Sequence, residues 1–137
     1  MPAGLKAFAI GMFSLSFFLN SPYQCWKCLY EYSGDEKFKD AAMIMTSRIE
    51  KEKNNTSTHD LGFMLYNSYG NGLRLTNNES YEEVLLTAAK SLSTRYRPNV
   101  GCIQSWGSSK KWQCSVIIDN MMNLELLTGR AILPSSR

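Results

Sequence analysis

Apolar residues recur at helical spacing along most of the chain. Phe38, Ala41, Ala42, Met45 and Ile49 follow the i, i+3, i+4, i+7, i+11 series of one helix face, with Lys and Glu residues on the other side. Ser33 and Glu36 stand before them at capping-box spacing, and Gly34-Asp35 turn the chain into the helix. Residues 26–32 read as the end of an earlier helix, with Leu29, Tyr30 and Tyr32 in the core. After fraying at 51–55, the small polar run 54–58 delivers His59-Asp60 onto a helix carrying Leu61, Met64, Leu65 and Tyr69. Gly70-Asn71-Gly72 are expected to stop that helix. Ser80 and Glu83 form a second capping box, and Tyr81, Val84, Leu85, Ala88 and Leu92 repeat the single-face pattern until the segment 95–99, with Pro98, ends it.

The pattern changes at 100–115. Gly101, Gly107 and a Ser-Ser-Lys-Lys run predict a loop flanked by two short β-tending pieces and carrying Trp106 and Trp112. Residues 116–127, Val-Ile-Ile-Asp-Asn-Met-Met-Asn-Leu-Glu-Leu-Leu, read as an apolar helix with Asp119 at its start. The fold class is therefore all-α, built from successive antiparallel helical hairpins. Alternate helix starts in such a stack lie at the same end. Asp60 and Asp119 are thus expected at one mouth, with Trp106 alongside.

Composition narrows the function. A chain of 137 residues, 44% hydrophobic and 20% charged, fits one ordinary globular domain. The net charge of +3 is small and the Lys and Arg residues are scattered, so no nucleic-acid partner is implied. No apolar run is long enough to span a membrane. Residues 7–19, preceded by Lys6, have the outline of a secretory h-region but lack a strong positive flank and an Ala-x-Ala site. A signal peptide would imply a periplasmic protein; a core segment or disordered start would imply a cytoplasmic one. Cys25 and Cys28 have the spacing of a zinc or redox pair. Cys102 and Cys114 do not make a close second pair, however, and no βαβ pattern surrounds the first, so the thiols read as incidental and no metal or cofactor is expected. The oligomeric state is left open.

The chemistry rests on Asp60 and Asp119. Either alone can be an ordinary helix cap, where a carboxylate accepts from free N–H groups and favours the macrodipole. Two acids together, one beside the only histidine and with tryptophans in the adjoining loop, suggest a carbohydrate site instead.

The motifs Thr58-His59-Asp60-Leu61-Gly62-Phe63 and Ile118-Asp119-Asn120-Met121-Met122-Asn123-Leu124-Glu125-Leu126-Leu127 resemble those of the unsaturated glucuronyl hydrolases, glycoside hydrolase family 88. The resemblance runs from about Leu29 to Leu127 and includes Tyr30-Glu31-Tyr32-Ser33-Gly34-Asp35-Glu36-Lys37. It implies an (α/α)6 barrel and a hydrolase of oligosaccharides left by polysaccharide lyases, which end in a uronate with a C4=C5 double bond. Such enzymes hydrate that bond. By matching motifs, Asp119 would be the general acid and base and Asp60 the assisting carboxylate. His59, Trp106 and Asn120 would bind the sugar. A proton donor of this kind needs a closed, apolar surrounding, expected here from Ile118, Met121 and Met122.

The chain departs from the family at both ends. The family's Gly-Phe-Phe-Pro-Gly segment is missing before Leu29, and the resemblance stops after Leu127. Twelve barrel helices of about 11–12 residues each need well over twice this length. The expected organisation is a divergent segment 1–28, a partial barrel domain 29–127 and a divergent tail 128–137. Such a chain is expected to be a fragment, marginally stable and inactive by itself. The rival readings are an unsaturated rhamnogalacturonyl hydrolase and a non-catalytic sugar-binding module in which both aspartates merely cap helices.

Overall fold

The computed structural model describes residues 21–108 and 111–129, with side chains from Trp26 onward. The leader-like stretch 7–19, the tail beyond 129 and the side chain of Cys25 lie outside the described residues. The chain divides into two compact units, one up to Arg48 and one from Ile49.

The first unit is a helical hairpin, α1 (Ser21–Ser33) and α2 (Glu36–Arg48). Gly34 makes the turn at φ +67°, a left-handed conformation that costs glycine nothing. The expected Ser33/Glu36 capping box does not form. Asp35 Oδ1 accepts from the Lys37 N–H at 3.0 Å, and Ser33 Oγ accepts from the Asp35 N–H. Glu36 is drawn instead to Lys39 Nζ at 2.7 Å, which raises the Lys39 ammonium above its usual range. Trp26 stacks on Phe38, ring centroids 5.8 Å apart, and closes the hairpin. Phe38, Ala41, Ala42 and Met45 are shielded as the periodicity predicts, whereas Tyr32, expected in the core, is exposed.

The second unit opens with a 3-10 turn, Glu50–Asn54, followed by a π-helix, Gly62–Gly70, that continues directly into α3, Asn71–Thr76. The helix α4 spans Ser80–Ser93, and a two-stranded antiparallel ribbon pairs β1 (Tyr96–Arg97) with β2 (Cys102–Ile103). Two single turns, α5 (Asn120–Asn123) and α6 (Glu125–Thr128), end the described chain. The core joins Leu61, Leu65 and Tyr69 to Val84, Leu85, Ala88 and Leu92 of α4, with Ile103 and Leu126 filling the remaining sides. Each large side chain buried there contributes about 1.5–3 kcal/mol, so this cluster anchors the unit. Tyr69 meets Tyr81 edge to face at 5.0 Å.

Three sequence expectations are corrected here. Gly70-Asn71-Gly72 do not stop the helix; Gly70 and Asn71 are right-handed helical, and the stop comes at Asn77, which is left-handed at φ 51°. Gly72 serves close packing instead, because a Cβ there would lie 2.7 Å from the Tyr81 ring. The Ser80/Glu83 capping box is replaced by Asn78, whose Oδ1 accepts from both the backbone N–H and the hydroxyl of Ser80. Finally, residues 116–127 are not one buried apolar helix. Helix begins only at Asn120, breaks between α5 and α6, and leaves Ile118 87%, Met121 65% and Met122 60% exposed. The one-turn elements are too short to turn a continuous apolar stripe inward, so Asn120, Asn123 and Leu126 take the buried positions.

Candidate active site

Asp60 and Asp119 meet on one imidazole. His59 Nε2 lies 3.3 Å from Asp60 Oδ1 and 3.5 Å from Asp119 Oδ2. One ligand atom from each of the three residues falls within 4.8 Å of the others. His59 is only 4% exposed, while both carboxylates remain partly open to solvent. The Trp106 ring stands edge-on to His59, centroids 6.1 Å apart and planes at 85°, and is 55% exposed. Two acids, an imidazole and an exposed indole therefore share one place.

Asp119 occupies the residue before α5 but makes no side-chain cap hydrogen bond. Asp60 is held by Thr58, whose Oγ1 accepts from the Asp60 N–H at 3.1 Å and lies 3.2 Å from Asp60 Oδ2 as a donor. For Asp119 the capping explanation finds no hydrogen bond to support it.

What brings the two acids together lies around them. The buried Asn123 accepts from the Phe63 N–H through Oδ1 at 3.0 Å and donates through Nδ2 to the Asp119 carbonyl at 3.3 Å. It ties the start of the π-helix to the turn that carries Asp119. Gly62 allows this contact, since a Cβ there would come within 2.6 Å of Asn123 Cα. On the other side, buried Ser105 donates its N–H to the Ser115 carbonyl at 2.8 Å and accepts from the Ile117 N–H at Oγ, 3.1 Å. The Trp106–Ser115 bridge continues that pairing. Gly62 and Asn123 sit inside the two sequence motifs, but helical periodicity gives no sign that they touch. Ser105 carries no sequence signal at all.

Asn120, expected to bind the sugar, has one of its two amide atoms engaged by the protein. It is buried and donates through Nδ2 to the Ile103 carbonyl at 2.6 Å, which joins α5 to β2. Its Oδ1 has no hydrogen-bond partner among the described residues.

Buried polar atoms in folded proteins are normally satisfied. Among the described residues, four buried side-chain polar atoms lack a hydrogen-bond partner: Thr46 Oγ1, His59 Nε2, Asp119 Oδ1 and Asn120 Oδ1. Three of the four are at this cluster, so unused hydrogen-bonding capacity is concentrated there. The donor set of His59, Asp60 and Asp119 could also hold a cation, although exposed acids commonly cluster without one. The surrounding expected from Ile118, Met121 and Met122 is absent, because those side chains face solvent.

No family model matches the chain. It is 44% identical over 108 residues to an unsaturated glucuronyl hydrolase of Formosa agariphila, covering 77% of this chain and 27% of that protein. An unsaturated glucuronyl hydrolase of a Bacillus species is 33% identical over 107 residues, 74% of this chain and 28% of that one. A crystal structure of an unsaturated glucuronyl hydrolase specific for heparin superposes with a TM-score of 0.72 at 42% identity, over 79% of this chain and 29% of the other. The chain thus spans about a quarter of the length of the relatives it matches. Over that span it is similar to the unsaturated glucuronyl hydrolases in sequence and in structure, as the motifs imply, and its fold is a part of their all-α helical barrel.

Proposed function

We propose that this chain carries the acid–base pair of a hydrolase that hydrates the C4=C5 double bond of unsaturated glucuronyl oligosaccharides, the products of polysaccharide lyases. The observation that supports it is the meeting of Asp60 and Asp119 on His59, with Trp106 beside them. In this reading Asp119 gives its proton to C4, and the double-bond electron pair forms the new C–H bond. The ring oxygen stabilises the positive charge that develops at C5. Water adds at C5 and returns a proton to Asp119. The hemiketal so formed opens, and the glycosidic bond breaks with release of the leaving sugar. Asp60 assists as the second carboxylate, and His59 Nε2 stands between the two acids. Trp106 covers an apolar sugar face, as exposed indoles do in carbohydrate sites.

Roughly three quarters of each matched relative lies outside the matched segment, and the exposed Ile118, Met121 and Met122 leave the acid pair open to water. Activity therefore depends on structure beyond these 137 residues. A chimera separates the site from that requirement: residues 29–127 replace the matching segment of the Formosa relative. Turnover of a 4,5-unsaturated disaccharide is followed by loss of the ultraviolet absorbance of its double bond. The chimera should be active, and Asp119→Asn within it should lower kcat by about 10²–10⁴, the range of a lost general acid–base catalyst. An Asp119→Asn chimera that turns over as fast as its parent ends the assignment.

A further inference from the structure

Three segments bring the site residues together: the loop 55–60 with His59 and Asp60, the stretch 103–106 that leads to Trp106, and the stretch 115–119 that ends in Asp119. One side chain reaches across the first two. Arg95, just after α4, donates from Nε to the Gln104 carbonyl at 2.8 Å and from one terminal nitrogen to the Ser105 carbonyl at 2.9 Å. Its other terminal nitrogen donates to the Thr56 carbonyl at 2.9 Å. Its backbone carbonyl accepts from the Gln104 N–H at 3.0 Å. The residue after Ser105 is Trp106, and Ser105 in turn pairs with Ser115 and Ile117 on the way to Asp119.

From this geometry we infer that Arg95 is the positioning residue of the site, a three-pronged brace that fixes the His59–Asp60 loop against the Trp106 stretch. Only a guanidinium offers planar, divergent N–H groups that can serve three carbonyls at once; an ammonium has the charge but not the fork. Among the described residues Arg95 makes no ion pair within 4.0 Å; its partners are neutral carbonyls. A partly buried cation with no acid in contact adds little to stability, which favours a geometric reason for its presence. Burial and the neighbouring Arg97 lower the pKa of the Arg95 guanidinium, and the charge of Asp60 works in the opposite direction. The inference rests on the proposed function only in calling the braced cluster a reacting site.

The test reads geometry and needs no activity. The chain has a single histidine, so its imidazole protons give one assignable set of NMR signals. In the full 137-residue chain a nuclear Overhauser cross-peak should link the His59 and Trp106 rings. Arg95→Lys should erase that cross-peak in molecules that keep the parent's far-ultraviolet circular dichroism. Arg97→Ala, which removes an equal charge but only the bond from Arg97 Nε to Gln104 Oε1, should keep it. A cross-peak undiminished in folded Arg95→Lys overturns the brace, as does its loss in Arg97→Ala. If Arg95→Lys does not fold, the parent chain decides: Arg95 Nε–H must exchange with solvent far more slowly than in an unfolded peptide, and exchange at the unfolded rate refutes the inference. Failure of the Asp119→Asn chimera to lose turnover would reject the proposed function and leave this result untouched.

Discussion

Asn123 accepts a hydrogen bond from the backbone N–H of Phe63 at 3.0 Å, across sixty positions of sequence. Through its other amide atom it holds the Asp119 carbonyl. One buried side chain thereby sets how far the turn bearing Asp119 stands from the helix start bearing Asp60. The acid pair depends on this joint as much as on the acids.

Asn123→Leu should destabilise the chain by about 0.5–1.5 kcal/mol, the net contribution of the hydrogen bond that the partly buried Phe63 N–H donates to it. Asn123→Asp keeps the acceptor but turns a carboxylate oxygen onto the Asp119 carbonyl at a position only 1% exposed, so its loss should be larger. Urea denaturation of the three proteins, compared at constant slope, ranks them. A Leu midpoint equal to the parent's would show that the Phe63 bond contributes nothing.

Gly62→Ala places a methyl group 2.6 Å from Asn123 Cα and 2.8 Å from its carbonyl oxygen. Backbone cannot swing aside as a flexible side chain can, so the two segments must separate. The expected penalty is about 1–3 kcal/mol, seen as a lower thermal midpoint. A midpoint at or above the parent's would mean that the helix start and the Asp119 turn are not in contact.

Tyr69 links the fold to alkaline pH. Burial, reinforced by Glu50 and Tyr81, pushes its phenol up to about 12 from the ordinary 10. The folded state holds the protonated form, so the contribution of Tyr69 is complete below pH 10. It is lost as pH rises toward 12, because the unfolded chain ionises first. The loss reaches roughly 2–3 kcal/mol at the top of that window. Stability measured from pH 9 to 12 should fall more steeply in the parent than in Tyr69→Phe, and identical slopes would contradict the burial of that phenol.

Ile118 is an apolar residue with nothing to lose. At 87% exposure, Ile118→Ser should change stability by less than about 0.5 kcal/mol, the usual range for surface positions. A loss of several kcal/mol in thermal or chemical unfolding would place Ile118 in the core after all.

The periodic stretches were legible because a helix writes its buried face at 3.6-residue spacing. Val84, Leu85, Ala88 and Leu92 are buried as that spacing requires, and Leu61, Leu65 and Tyr69 pack against them. The motif acids were legible too, since Asp60 and Asp119 do converge. Element ends were not. Gly70-Asn71-Gly72 look like a stop, yet their glycines admit Tyr66 and Tyr81, and no local pattern encodes which ring will approach. The apolar run 116–127 misled for a related reason: hydrophobicity marks what is able to be buried, not what finds a neighbour.

By itself, the sequence determined the helical class, the faces that form the core, and the two acid motifs with their histidine. These follow from local spacing and residue chemistry. Tertiary structure alone decided that Asp60 and Asp119 share His59, that Asn120 is engaged with Ile103, and that Arg95, Ser105, Gly62 and Asn123 hold the site in place. Each of those is a contact between segments far apart in the chain. The partners of a buried amide or guanidinium are fixed only when the packed backbone brings its carbonyls within reach.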